Sequence, residues 1–178
     1  MTPNIDSNGT GGLDPVARLL AIEDIRRLRA QYWRFVDTKQ WPAFGRLFAP
    51  DAHFLDHATG FECDGSGEIE SKIATVLQPA MSVHHGHHAE IDFDDESHAR
   101  GIWAMYDYLR FPAGEVTPEN PYAGASVHGY GHYVDQYIRL DGRWLFQTVD
   151  LYRLYIEALT PASTPYPALF QVPEGATV

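Results

Sequence analysis

Four of the nine histidines fall within five residues, His84-His85-Gly86-His87-His88. Imidazole is the side chain that moves protons near neutral pH, and it is also a common metal ligand. The run passes into Glu90-Ile91-Asp92-Phe93, whose polar and apolar alternation predicts a β-strand. A strand sends successive side chains to opposite faces, so extended chain from Val83 puts His84 and His88 on one face with Gly86, and His85 and His87 on the other. One four-histidine site is therefore excluded. A neutral His84 on an inward face could take a proton from a carbon acid if its far ring nitrogen were held as a donor, which is work for a carboxylate. The competing chemistry is metal binding. His85-x-His87 has the spacing by which one strand offers two imidazoles to zinc, and His84 with His88 could do the same, with a third ligand from His53, His57, His128, His132 or Asp107. We expect no metal and no organic cofactor.

The elements that must position these groups are legible from periodicity. Asp14-Pro15 is a helix start, with Asp as cap and Pro at the first position. Leu19, Ile22, Ile25, Leu28, Tyr32 and Phe35 or Val36 then recur at helical spacing with Glu23, Arg26, Arg27 and Arg29 between them, predicting an amphipathic helix over 15–38. Tyr32, Trp33 and Asp37 stand near its end. A short helix is predicted over 41–48, a strand over 52–57, a turn region around Gly60 and Gly65, and a third helix over 66–77 stopped by Pro79. From Met81 the period changes to two, and strands are predicted over 81–93, 98–111, 125–140 and 143–157. Asp92, Asp94, Asp95 and Glu96 read as solvated turn residues. Asp141-Gly142 between alternating runs specifies a tight hairpin. The stretch from Pro112 to Gly124 is a longer loop placed to cover a cavity mouth. On the second long strand Trp103, Met105 and Leu109 share an apolar face with Asp107, and a carboxylate there needs a partner or a task. Helices followed by an antiparallel meander give an α+β domain with helices on one face of a curved sheet.

At 178 residues there is room for one domain, which we place at 14–159 between a leader (1–13) and a proline-rich tail (160–178). Thirteen basic against 24 acidic residues, a net charge of −11, exclude the clustered cations that nucleic acid requires. The single cysteine, Cys63, excludes an intrachain disulfide. No apolar run reaches membrane-spanning length and residues 1–12 lack signal-peptide features, so a cytoplasmic location is expected.

With that order of elements in place, the sequence resembles the SnoaL-like branch of the nuclear transport factor 2-like superfamily. The carriers are Ala21-Ile22-Glu23-Asp24-Ile25, Tyr32 with Asp37, Leu47-Phe48-Ala49-Pro50-Asp51-Ala52, the His84-His85-Gly86 run, and Asp135-Gln136-Tyr137 through Asp141-Gly142-Arg143-Trp144. The resemblance implies a cone-shaped fold with a pocket between the first helix and the concave sheet. It is similar to the cofactor-free lyases of that group: hexachlorocyclohexane dehydrochlorinase, bile acid 7α-dehydratase and scytalone dehydratase. From them it implies that Asp37 orients His84 as base, and that Tyr32 and Asp107 complete the catalytic set. His128, His132 and Arg153 are the implied substrate-binding residues; His88, which departs from the asparagine common in the family, and Trp103, on the apolar face of the second long strand, are expected beside them. The expected activity is a lyase or isomerase of dehydratase type, acting on a hydrophobic cyclic substrate such as a steroid, terpenoid or polyketide. The alternatives are a polyketide cyclase or epoxide hydrolase using carboxylates such as Asp107, and a non-catalytic ligand-binding or dioxygenase small-subunit-like module. The expected partners are a small hydrophobic substrate and further copies of the chain, as homodimer or homotrimer.

Overall fold

The computed structural model describes residues 12–115, 117 and 122–159. The tail, nearly all of the leader and part of the predicted loop lie outside the described residues. Helix α1 (Pro15–Asp37) starts where the sequence places it, because the Asp14 carboxylate accepts the free N–H groups of Val16 (2.9 Å) and Ala17 (3.3 Å). Helix α2 (Trp41–Gly45) is shorter than predicted, and the chain is already extended at Phe48. Strand β1 (Phe48–Asp56) is followed by β2 (Phe61–Asp64), formed where periodicity predicts only a turn. Helix α3 (Ser66–Leu77) leads to the meander β3 (Met81–Phe93), β4 (His98–Arg110), β5 (Ser126–Leu140) and β6 (Arg143–Leu159). Asp141 and Gly142 both take positive φ, 49° and 79°, as a two-residue hairpin with the twist of its strands demands.

The six strands form one curved sheet in the order β2-β1-β6-β5-β4-β3. Neighbours are antiparallel except β1 and β6, which run parallel and so join the first strand to the last. The helices pack on the concave face. Ile25, Leu28, Tyr32 and Val36 of α1 meet Phe44, Phe48, Tyr133 and Phe146 in an aromatic core. The Tyr32 ring stands edge-on to Phe44, Tyr133 and Phe146 at 5.0–5.9 Å between centroids. Arg29, which the helical pattern assigns to the polar face, is instead fully buried in this core. Its guanidinium clasps both oxygens of Asp135, Nε at 3.1 Å, and lies between the Tyr32 and Tyr133 rings. Tyr137 donates to the same carboxylate at 2.5 Å. Burial works against the Arg29 charge, but Asp135 together with the Tyr137, Tyr32 and Tyr133 hydroxyls outweighs it and holds the group above its ordinary range.

Strand β3 contains an irregularity that resets its faces. Gly86 pairs with Met105 but Ala89 pairs with Trp103, so three steps on β3 match two on β4. This β-bulge at His87 and His88 puts Ser82, His84, Gly86, Ala89, Ile91 and Phe93 on the concave side.

Candidate active site

On the concave face the register lays residues out in rows. His84 pairs with Asp107 and Asp107 with Gly129. One row toward the Met81 end of β3 lie Ser82, Leu109 and Val127; one row the other way lie Gly86, Met105 and Gly131, the last paired with Arg153. Helix α1 ends over this array. Trp33 rests on Gly86, where any Cβ would overlap its ring, and meets Trp103 edge-on at 5.7 Å. That contact sets the approach of α1 to β3 and delivers Asp37 to His84.

Asp37 grips His84 twice: Oδ1 lies 2.6 Å from Nδ1, and Oδ2 accepts the backbone N–H of the same residue at 2.8 Å. An ionised carboxylate can only accept, so Nδ1 carries a proton and, in the neutral imidazole, Nε2 presents its lone pair. Among the described residues Nε2 has no partner. The histidine side chain is 6% exposed and that of Asp37 22%, so the pair reaches solvent through a small opening.

Across the row Asp107 is 1% exposed. Its Oδ2 accepts from Arg153 Nη1 at 2.9 Å, and its Oδ1, buried, has no partner among the described residues. Arg153 Nε donates to Asp56 at 3.1 Å. Burial opposes the guanidinium charge, and Asp107 and Asp56 overcome it, holding Arg153 above its ordinary value. The bridge exists because position 129 is glycine: a Cβ there would collide with both Arg153 Nη1 and Asp107 Oδ1. Tyr32 and Tyr133 lie beneath. Burial pushes the Tyr32 phenol up to about 12 and that of Tyr133 well above its ordinary value, so both stay protonated and can donate.

The structure brings together Asp37, His84, Asp107 and Arg153, with Tyr32 in the floor. Trp103 is on the expected face, but its Nε1 is already used on the Tyr137 hydroxyl at 2.8 Å, behind Trp33. Three expectations are corrected. His88 is exposed, because the bulge shifts the strand by one residue and breaks its parity with His84. His128 and His132 are on the convex side, because the inward positions of β5 are Gly129, Gly131 and Tyr133. His128 there takes the Tyr106 hydroxyl at 2.9 Å. Among the described residues no group of three or more His, Cys, Asp or Glu is arranged to hold a metal ion.

Sequence reasoning missed Asp56, Tyr133 and the Gly129 window. Asp56 carries a readable signal: it closes a strand whose other inward residues, Ala52 and Phe54, are apolar. Two surface clefts of about 390 and 360 Å³ lie elsewhere, one beside Arg46, Glu70 and Arg143, the other beside Phe61 and Lys72.

An open sheet curved around a long first helix defines the cone-shaped α+β class of nuclear transport factor 2-like proteins. Solved structures agree: "Hexachlorocyclohexane dehydrochlorinase (LinA) Type2" superposes with a TM-score of 0.73 at 20% identity, covering 88% of this chain and 100% of that one. LinA-type3 from Novosphingobium barchaimii LL02 gives 0.71 at 19%, covering 86% and 100%. The family model of the SnoaL-like domain matches residues 17–150, and the chain belongs to that family. Among curated proteins it is 27% identical over 146 residues to the probable cyclase FGR4 of Gibberella zeae, covering 76% of this chain and 93% of that protein.

Proposed function

We propose that the protein is a cofactor-independent lyase or isomerase of dehydratase type that removes a proton from a hydrophobic cyclic substrate, a steroid, terpenoid or polyketide. The observation that carries this reading is the double grip of Asp37 on His84, with Nε2 left free over the concave face. In the proposed step Nε2 takes the proton from a carbon next to a carbonyl or leaving group. The C–H electrons become a carbon–carbon double bond, and the leaving group departs with its own pair. Asp37 stabilises the imidazolium that results. The Tyr32 phenol donates a hydrogen bond to the departing or developing oxyanion, and Arg153 keeps Asp107 in place. The similarity to a dehydrochlorinase structure and to a probable cyclase supports chemistry that begins with such a proton removal. Cyclase activity is the second reading: the same enolate attacks an electrophilic carbon of its own molecule, with His84 in the same role. The test is deuterium exchange from heavy water into a panel of cyclic ketones and hydroxy-ketones. Exchange is expected in the wild type and lost in His84→Ala and Asp37→Asn; full activity in either variant would exclude the mechanism.

Among the described residues no helix is long and apolar enough to cross a membrane. We extend the proposal to a homodimer or homotrimer on the convex face. There the rings of His85, Tyr106, Tyr130 and Tyr155 follow one another across β3 to β6, and Tyr130, Tyr152, Leu154 and Tyr155 are exposed. Light scattering on purified protein checks it; a monomer at micromolar concentration would reject it.

A further inference from the structure

Lys39 lies two residues past Asp37, beside the row of Ser82. It follows α1 in left-handed conformation, φ 59°, a backbone position that non-glycine residues adopt at a cost. The side chain is turned inward, and Nζ donates to Ser82 Oγ at 2.9 Å. Ser82 is buried and sits two residues before His84 on the same face of β3. The Lys39–Ser82 pair is therefore one row from the catalytic row, roughly 7 Å away at the rise of a strand.

The ammonium has no anion of its own: it meets the Ser82 hydroxyl and the face of the Trp41 ring, 5.7 Å from its centroid. The nearest carboxylate, Asp37, has both oxygens committed to His84. Among the described residues Lys39 makes no ion pair, and its hydrogen-bond partner is a neutral hydroxyl, although the chain carries 24 acidic residues. Burial lowers its pKa, with Asp37 acting the other way. A half-buried ammonium has three donors and gains most from an anion. Its surroundings are apolar. Leu109 and Val127 complete its row, and with Ala80, Phe111 and Tyr122 they form a small cluster separate from the main core.

We propose that Lys39 and Ser82 form an anion subsite, and that the substrate carries a carboxylate on its apolar body, held so that the reacting carbon lies one strand row away at His84. The substrate class rests on the catalytic reading of His84; the subsite itself does not. The alternative is that Lys39 only ties α1 to β3 through Ser82.

Calorimetric titration with cyclohexanecarboxylate and with the neutral, isosteric cyclohexanecarboxamide separates these. The wild type is expected to prefer the carboxylate by roughly tenfold or more, as for one charge-assisted hydrogen bond. Lys39→Met should reduce that ratio to about one. Ser82→Ala breaks the tie but keeps the charge, and should retain most of the preference. His84→Ala should retain it as well, so a failure of the base mechanism would not register in this measurement. Equal affinities in the wild type, including no saturable binding of either probe, would overturn the proposal. So would a preference that survives Lys39→Met.

Discussion

Two of the histidine–aspartate pairs on the sheet are of nearly equal length and lie on opposite faces, His84 with Asp37 at 2.6 Å and His57 with Asp150 at 2.7 Å. Their difference is in everything around the contact. His57 spends Nε2 on its aspartate, stacks on Tyr152 at 4.0 Å, and is 35% exposed. His84 spends Nδ1, is almost wholly covered, and stands in the strand row of Asp107 and Gly129 with Nε2 unpartnered among the described residues. Water solvates the first pair and competes for it; the second is largely covered, and fewer waters compete for its hydrogen bonds. Pairing alone therefore does not make a base. The free nitrogen must face a space with other groups aimed into it.

The sharpest break of this comparison is Asp37→Asn against Asp150→Asn. The first should lower turnover by roughly 10³- to 10⁴-fold through loss of the correct tautomer, with unchanged circular dichroism. Equal losses in the two variants would refute the assignment. A third pair, Arg29 with Asp135, is fully enclosed and serves the fold. Asp135→Leu should cost about 3–5 kcal/mol in urea unfolding, because it strands a buried guanidinium, and joint replacement with Arg29→Met should recover most of that. Gly129→Ala is next in size. Its methyl group must push Arg153 from Asp107, and displacement of that order should cost roughly tenfold to a hundredfold in turnover without unfolding the chain. Tyr32→Phe removes one neutral donor and should cost about three- to tenfold. Since the phenol's pKa is raised to about 12, its proton is present at both about pH 7 and about pH 9, and the deficit should be the same at each. Smallest is Asp150→Asn itself. It should change unfolding free energy by less than about 1 kcal/mol, as for an exposed ion pair, and turnover by less than about twofold.

The elements were legible because the hydrophobic period changes cleanly from 3.6 to 2, and because Asp14-Pro15 and Asp141-Gly142 carry their own stereochemical instructions. β2 was not legible: four residues between glycines offer too short a pattern, and the strand forms by pairing with β1. The dyad could be named because Asp37 and His84 stand at the ends of well-marked elements within the family's order of motifs. The burial of Arg29 was hidden because its partner lies 106 residues away in sequence. The two faces of β5 are nearly indistinguishable from composition. Val127, Gly129, Gly131 and Tyr133 alternate with His128, Tyr130 and His132, and inward glycines read as gaps until Arg153 is seen crossing one of them.

The bulge at His87 and His88 has an arithmetic consequence. It is a one-residue phase correction between two halves of β3 that must both present their apolar side to α1. Deleting either histidine would remove the extra residue and leave a regular strand, two steps against two on β4, with Ser82, His84 and Gly86 still on the same face as Ala89, Ile91 and Phe93. The bulge thus absorbs one supernumerary residue without taking either His84 or the core out of register. Any superposition of its sequence on a relative with an unbroken strand must open a gap there.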